Sequence, residues 1–265
     1  MIPKIIHFIW VGDKPKPDIV LKCLDSWKKF CPDFEIREWG NEALKSIDNL
    51  YVKQAYENKK WAFVSDYLRL YALDKFGGIY LDTDSEVTQS IEEFFGLEFF
   101  CGFEVYNGVC LPMAGILGAE AGNHVIKELL KQYEKESFVK DGTLNMLPIT
   151  MRMADYFKER FRVDKPFNPD EELELCKNSV IYPSYYFCTP KENKVNYVIH
   201  HYCASWVEDY KRVVLFNFAN YRVVRYRKNK KNVSDEILLL KGEKILFQFP
   251  FLRYKICLIK FDNKE

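Results

Sequence analysis

The chain has 265 residues, of which 48% are hydrophobic and 16% aromatic, so it can bury the core of one large domain, alone or with a smaller appendage. Its net charge of +1 gives no overall field that would recruit nucleic acid, which is therefore not an expected partner. The first residues lack the pattern of a secretory signal, and no stretch reaches the ~18 apolar residues of a spanning helix. The cysteines form no Cys-x-x-Cys pair, so we expect reduced thiols and a cytoplasmic location.

The first part of the chain alternates between strand and helix signals. Residues 4–10 are mostly apolar and predict a buried strand that ends at Trp10. Two prolines then mark a turn, apolar residues from 19 to 27 recur at helical spacing, and residues 34–39 predict a second strand. This rhythm predicts an α/β fold with a mostly parallel sheet and crossover helices, in which ligands bind beyond the carboxyl ends of the strands.

Residues 61–84 hold the central pattern of the chain. The apolar residues from Val64 to Tyr71 are spaced as one buried stripe of a helix, and Gly77-Gly78 supplies the left-handed backbone that ends it. Residues 79–81 then predict a short apolar strand that leads directly into an acidic pair, Asp82 and Asp84.

Asp82 and Asp84 are the first candidate site. In an extended chain, residues two apart point the same way, and two carboxylates repel each other unless a cation lies between them. A solvated acidic turn is the ordinary explanation of Asp-x-Asp, but a pair that ends a hydrophobic strand favours a metal site. Mn²⁺ or Mg²⁺ binds carboxylates together with phosphate oxygens, and would offset the charge on a leaving nucleotide.

Asp66 and Arg69 project together from the predicted helix because they are three residues apart. One interpretation is an exposed ion pair that contributes little to stability. In the functional interpretation, Arg69 neutralises a phosphate or holds a sugar hydroxyl, and Asp66 accepts hydrogen bonds from hydroxyl groups. Trp10, at the end of the first strand, either stacks on a flat base or packs in the core.

The second half of the chain is less regular. Residues 99–104, 113–118, 179–187 and 197–202 predict strands, and residues 122–135 predict a helix. His200 and His201 would face opposite sides of a strand, so at most one easily reaches the carboxylates as a further metal ligand. Ser205 and Trp206 follow, where they would hydrogen-bond and cover a leaving diphosphate.

From residue 211 the sequence becomes basic and aromatic, so we divide the chain into a core domain, 1–210, and a C-terminal appendage, 211–265. Local basic charge of about 1 kcal/mol per residue would bring residues 211–255 to an anionic inner membrane face, where lipid-linked acceptors lie. An ordinary solvated helix with a core-packing end is the alternative.

Four motifs together resemble one family. They are residues 2–12, residues 65–69, residues 77–84 and the His-His-x-x-Ala-Ser-Trp run at 200–206. Over roughly residues 1–206 they resemble the glycosyltransferases with an Asp-x-Asp sugar-binding region. This family includes bacterial capsular-polysaccharide transferases and Och1-type mannosyltransferases, and the glucosylating clostridial toxins are more distant relatives.

The resemblance implies a GT-A fold, Mn²⁺ or Mg²⁺, and retaining transfer from a nucleotide diphosphate sugar, UDP-linked by preference, to a glycan or lipid-linked acceptor in bacterial surface polysaccharide synthesis. Trp10 resembles the base-stacking tryptophan, and Asp66 and Arg69 resemble the pair that binds donor sugar and ribose. Asp82 and Asp84 match the metal and diphosphate carboxylates.

The resemblance also assigns roles near residue 200. One histidine of the pair is the late metal ligand, with His201 preferred over His200, and Ser205 and Trp206 resemble the residues that close on the diphosphate. No carboxylate nucleophile is identified: Glu104 is conceivable, but a front-face substitution assisted by the leaving phosphate needs none.

Two other classes of protein remain alternatives. A nucleotide-sugar hydrolase or phosphohydrolase would use the same carboxylates but would need only water as the acceptor. A non-catalytic binding module would keep the fold and the sugar pocket, although the intact Asp82, Asp84, Arg69 and histidine argue against a decayed site.

Overall fold

The computed structural model describes residues 1–106, 108–203, 213–218, 221–227, 243–251 and 254–261. The chain forms two compact units, Met1–Tyr202 and Cys203–Glu265, which are described separately. Among the described residues, no helix combines the length and the apolar composition that crossing a bilayer requires.

The first unit contains six helices and eleven strands within its described residues. The helices are α1 (Asp18–Phe30), α2 (Leu50–Glu57), α3 (Trp61–Phe76), α4 (His124–Glu134), α5 (Ile149–Phe161) and α6 (Ser184–Phe187). The strands are β1 (Ile5–Ile9), β2 (Glu35–Trp39), β3 (Gly78–Leu81), β4 (Ser85–Val87), β5 (Phe99–Tyr106), β6 (Val109–Ala119), β7 (Val139–Lys140), β8 (Thr143–Leu144), β9 (Leu173–Cys176), β10 (Ser179–Tyr182) and β11 (Val198–His200). Two short 3₁₀ helices, Asn41–Ser46 and Glu92–Gly96, complete the set.

The main sheet has seven strands in the order β2-β1-β3-β6-β5-β10-β9. Strands β1, β2 and β3 are parallel, β5 is parallel to β10, and β6 runs antiparallel to both β3 and β5. Five strands therefore run in one direction, and only β6 and β9 oppose them. The predicted α/β fold with a mostly parallel sheet is confirmed, although β6 separates the two parallel groups.

Alternate residues of the strands pack on opposite faces of the sheet, as the pleat requires. On one face, Tyr80, Phe99 and Leu117 join a core made with α2, α3, α4 and α5. On the other face, Ile79 and Phe100 join a second core that includes α1 and Phe187 of α6. The result is a three-layer arrangement that places the ends of β1 and β3 side by side at one edge.

Several predicted elements need correction. The strand predicted over residues 179–187 ends at Tyr182, because Pro183 begins the single turn of α6. The last strand is shorter than predicted and covers Val198–His200, where it pairs with β4 in a separate two-stranded sheet. Strands β5 and β6 lie close to the predicted positions, and α4 begins two residues later than predicted, at His124.

The described part of the second unit is an antiparallel sheet in the order β12-β13-β15-β14. Its strands are β12 (Val213–Phe218), β13 (Tyr221–Arg227), β14 (Glu243–Phe251) and β15 (Tyr254–Phe261). The alternative of a solvated helix is therefore wrong for these residues. Residues 204–212 and 228–242, which carry much of the basic charge, lie outside the described residues, so the predicted division at residue 210 and the membrane contact stay predictions.

His7 is fully buried on β1 and takes part in two hydrogen bonds. The indole N–H of Trp39 donates to its Nδ1 at 3.1 Å, so Nε2 carries the proton and donates to the carbonyl of Gly77 at 2.8 Å. Burial lowers the pKa of His7 to about 4, against the opposing effect of the Gly77 hydrogen bond.

We expect His7 to make stability fall as the pH falls from 6.5 towards 4, because the unfolded chain then binds a proton that the folded chain excludes. The expected loss between pH 7 and pH 5 is about 2 kcal/mol. His7→Gln, which keeps a donor and an acceptor, should remove this component in urea unfolding at the two pH values. His124→Gln, at the exposed start of α4, is the control. An equal pH dependence in wild type and His7→Gln would contradict the assignment.

Candidate functional site

The turn between α3 and β3 brings Asp66 and Arg69 of α3 close to Asp82, which follows β3. Gly77 and Gly78 have positive φ of 63° and 102°, which glycine adopts without strain. A Cβ on Gly78 would lie 2.6 Å from the carbonyl oxygen of Ile5, so the chain can pass this close to β1 only with glycine. The chain thereby reverses direction, and residues of α3 come to lie beside the end of β3.

Arg69 contacts several groups of this region, and its side chain is only 6% exposed. Its Nη2 lies 3.0 Å from Asp66 Oδ1, and its Nη1 lies 3.4 Å from Asp82 Oδ1. Nη1 also donates to the carbonyl of Ala114 at 2.7 Å, and the guanidinium stacks 4.5 Å from the ring centre of Tyr80. Burial alone would lower the pKa of Arg69, but Tyr80 and the surrounding acidic groups raise it. The guanidinium group therefore keeps its positive charge.

Asp66 is buried, and both of its oxygens already have partners. Oδ1 faces Arg69, and Oδ2 accepts the backbone N–H of Ile149 at 3.2 Å, where α5 begins. Burial raises the pKa of Asp66 to about 6, although Arg69 and the Ile149 amide oppose this effect. The alternative of an exposed ion pair is therefore wrong, and the contact of Asp66 with a donor hydroxyl stays a prediction.

Asp82, Asp84 and His200 converge at the end of β3. One ligand atom of each lies within 4.8 Å of the others. The Nε2 of His200 lies 3.2 Å from Asp84 Oδ1 and 3.8 Å from Asp82 Oδ2. The carboxylates do not converge by strand alternation, because Asp82–Ser85 is a turn in which the Ser85 N–H donates to the Asp82 carbonyl at 2.9 Å. The predicted convergence is present, but its predicted cause is wrong.

The two oxygens of Asp82 have different surroundings. Oδ1 accepts the hydroxyl of Tyr80 at 2.6 Å and faces Arg69, which fixes the orientation of the carboxylate. Oδ2 faces His200 and lies 3.0 Å from the position of a Cβ on Gly115. Gly115 therefore leaves room for the oxygen that points towards His200.

His201 points elsewhere, so the structure corrects the preference for His201 as the metal ligand. Its Nε2 lies 2.7 Å from Glu86 Oε2, and the same carboxylate oxygen also pairs with Lys22 at 2.7 Å. The two neighbouring histidines diverge as the strand alternation predicts, and it is His200 that lies beside Asp82 and Asp84.

The donor set of Asp82, Asp84 and His200 fits a divalent cation. Two carboxylates and an imidazole suit Mn²⁺ or Mg²⁺, and neighbouring ligand atoms of an octahedral ion lie about 3 Å apart. The measured separations of 3.2 and 3.8 Å are close to this spacing. Burial would lower the pKa of His200, but Asp84 and Asp82 raise it to about 11, so a bound metal would compete with this proton.

Of the three remaining residues predicted to bind the donor, the structure describes Trp10 but not Ser205 and Trp206. Trp10 is half-buried, its indole N–H donates to the Lys14 carbonyl at 2.9 Å, and it follows β1, the neighbour of β3. It therefore lies at the same sheet edge as the carboxylates, while base stacking stays a prediction. Ser205 and Trp206 lie outside the described residues, and their predicted roles remain predictions.

Sequence reasoning missed Tyr80, Ser65 and Gly115, which support the site. The Ser65 hydroxyl lies 3.1 Å from the Tyr80 hydroxyl and accepts from Arg69 at 3.2 Å. Tyr80 could have been recognised, because it precedes Asp82 by two residues on a strand and so shares its face. Gly115 gives no such signal, because its role depends on how β6 pairs with β3.

Known proteins similar to this chain include glycosyltransferases with the same kind of acidic motif. The family pattern described as the glycosyltransferase sugar-binding region containing a DXD motif matches residues 17–99. An uncharacterized glycosyltransferase of Acanthamoeba polyphaga mimivirus is 24% identical over 235 residues, which is 82% of this chain and 88% of that protein. Residues 17–99 thus carry the DXD-containing region, and the predicted resemblance and the predicted class of enzyme, a glycosyltransferase, are confirmed.

Solved structures give weaker similarities. The PaToxG glycosyltransferase is 20% identical, with a TM-score of 0.47 over 61% of this chain and 70% of that chain. A glycosyltransferase involved in glycosylation of the major capsid of PBCV-1 is 12% identical, with a TM-score of 0.42 over 77% of this chain and 95% of that chain.

Proposed function

We propose that the protein is a metal-dependent glycosyltransferase that moves a sugar from a nucleotide diphosphate sugar to a glycan or lipid-linked acceptor. The observation that carries the proposal is the convergence of Asp82, Asp84 and His200 at the end of β3, beside the buried cation of Arg69. An arrangement of carboxylates and an imidazole next to a fixed positive charge suits a cation that also binds a diphosphate.

In this proposal each residue has a separate task. Asp82, Asp84 and His200 would hold the divalent cation, which would supply a Lewis acid for the departing diphosphate. Arg69 holds Asp82 in position and adds positive charge near the leaving group. Tyr80 fixes Asp82 Oδ1, so that Oδ2 keeps its direction towards His200.

The finer features of the proposal rest on the family resemblance. They are a UDP-linked donor, Mn²⁺ as the metal, retention at the anomeric carbon, a GT-A fold, Trp10 stacking on the base, and a role in bacterial surface polysaccharide synthesis. Asp66 would bind donor hydroxyls, and Ser205 and Trp206 would close on the diphosphate.

A thermal-shift panel of nucleotide diphosphates and their sugars, each with and without Mn²⁺, tests the proposal. A ligand that binds only the folded chain raises the melting temperature with its occupancy. We expect a rise with one nucleotide class that requires metal, and transfer of the sugar only when an acceptor is added. Turnover with water alone, undiminished by any acceptor, would instead favour a hydrolase, and no shift with any nucleotide would favour a binding module of another kind.

We also propose that residues 211–255 bring the enzyme to the anionic inner face of the plasma membrane, where a lipid-linked acceptor lies. The support is the basic and aromatic composition of the segment. The wild-type chain should sediment with anionic liposomes more than a variant with the segment's lysines and arginines replaced by glutamine. Equal sedimentation of the two would contradict the membrane contact.

A further inference from the structure

The imidazole of His200 has one nitrogen that the proposed metal site does not use. Nε2 faces Asp84 and Asp82, at 3.2 and 3.8 Å. Nδ1 is buried and has no close hydrogen-bond partner among the residues that the structure describes. A buried polar atom without a close partner is costly, so the surroundings of this nitrogen need an explanation.

A cysteine and a tyrosine pack against His200. The backbone N–H of His200 donates to the Cys188 carbonyl at 2.9 Å. The Tyr202 ring meets the imidazole edge to face, with the ring centres 4.5 Å apart. The Tyr202 hydroxyl lies 2.8 Å from Cys188 Sγ, so the two side chains are joined beside the imidazole. Burial lowers the pKa of His200, whereas Asp84 and the Cys188 thiol, as hydrogen-bond acceptors, raise it.

The backbone of Tyr202 is strained at this contact. Its φ of 49° lies in the left-handed region, which residues other than glycine seldom adopt. Such strain persists only where the surrounding structure holds it, and it concentrates at functional sites. The contacts of the Tyr202 side chain with His200 and with the buried Cys188 hold the residue in this way.

We propose that Cys188 and Tyr202 are positioning residues for the metal ligand His200. In this arrangement Cys188 Sγ accepts the proton of His200 Nδ1, and the Tyr202 hydroxyl holds the thiol in place. Nε2 then keeps its lone pair for the cation and its direction towards Asp84. The inference rests on the metal site of the proposed function, to which it adds two residues that act through His200.

A histidine that binds a metal needs such a partner. When the cation is bound through Nε2, the ring proton is on Nδ1, and an acceptor for this N–H sets the tautomer and the orientation of the ring. Asp82 and Asp84 face the other nitrogen, so they cannot supply this acceptor. Sulfur is only a weak acceptor, which agrees with a nitrogen that has a thiol as its neighbour but no close partner among the described residues.

Three variants test the proposal, with Mn²⁺ alone as the probe. We expect Mn²⁺ to bind Cys188→Ala at least ~10-fold more weakly than the wild type, because losing the group that holds a metal-bound histidine costs ~10–100-fold in affinity. Cys188→Ser keeps a hydrogen-bonding group and should recover part of this affinity. Tyr202→Phe keeps the ring, loses the hydroxyl and should show a smaller loss. Titration of the EPR signal of free Mn²⁺ measures all three.

Cys31→Ala is the matched control, because Cys31 is also 1% exposed and packs in the same core as Cys188. It removes a buried thiol without approaching His200, so it should keep the wild-type affinity for Mn²⁺. A second readout is the Nδ1 proton of His200 in ¹H–¹⁵N spectra of histidine-labelled protein with saturating Mg²⁺. A hydrogen bond moves this proton signal downfield, so the signal should move upfield in Cys188→Ala and stay in place in Cys31→Ala.

Three results would overturn the role of Cys188 and Tyr202. They are a wild-type Mn²⁺ affinity in Cys188→Ala (or in Tyr202→Phe, if the alanine variant does not fold), equal losses in Cys188→Ala and Cys31→Ala, and an unmoved Nδ1 proton signal in Cys188→Ala. Failure of the proposed function looks different. A wild-type chain that binds Mn²⁺ but transfers no sugar would refute the transferase and leave the positioning role intact, whereas a wild-type chain that binds no Mn²⁺ would refute both.

Discussion

Asp84→Ala is expected to abolish the metal-dependent binding of the nucleotide and to lower donor turnover by at least ~10²-fold, since the loss of one electrostatic stabiliser of a leaving group costs ~10²–10³-fold. Asp84 Oδ1 lies 3.2 Å from His200 Nε2, so its removal takes away one of three clustered ligands. His200→Ala should act in the same direction, because it removes the only imidazole beside the carboxylates within the described residues.

The neighbouring histidine provides a matched control for this prediction. His201 has the same chemistry one residue later, but its Nε2 faces Glu86 at 2.7 Å. His201→Ala should therefore keep the Mn²⁺ dependence of UDP binding and of donor turnover. Titration of Mn²⁺ against the UDP-induced thermal shift in all three variants measures the effect. Intact turnover by Asp84→Ala at saturating metal, or equal losses with either histidine replaced, would contradict the metal site.

The sequence predicted most of the elements that hold this site, because the relevant signals are local. Gly77-Gly78 ends α3 in the predicted backbone conformation, and Asp82 follows β3 as expected. The choice between His200 and His201 was not available from sequence. Strand alternation says only that they diverge, and which of them meets Asp84 depends on the pairing of β11 with β4.

Long-range packing explains what the sequence could not predict. The spacing of Asp66 and Arg69 predicts that they lie side by side, but not that β6 and the start of α5 cover them. The antiparallel position of β6 between β3 and β5 is likewise a property of the sheet and not of any local pattern. The basic, aromatic composition of the C-terminal unit does not by itself indicate a sheet, although Tyr221–Arg227 has the β-branched and aromatic residues typical of a strand.

Because Arg69 is buried in an ion pair, replacing it is expected to lower the stability of the fold strongly. Arg69→Met should lower the free energy of unfolding by about 3–5 kcal/mol, the usual result of removing one partner from a buried ion pair. The variant leaves Asp66 buried without its cation and also removes the hydrogen bond to the Ala114 carbonyl. Chemical denaturation at pH 7 measures the loss.

The exposed pair of Glu128 and Lys131 is a suitable control, because it has the same spacing of three residues on a helix. Its side chains are 47% and 59% exposed, so Lys131→Met should change the free energy of unfolding by less than about 1 kcal/mol. Adding Asp66→Asn to Arg69→Met should restore part of the lost stability, because it removes the uncompensated buried charge. Similar losses for Arg69→Met and Lys131→Met, or a further loss in the double variant, would show that the ion pair is not what Arg69 contributes to the fold.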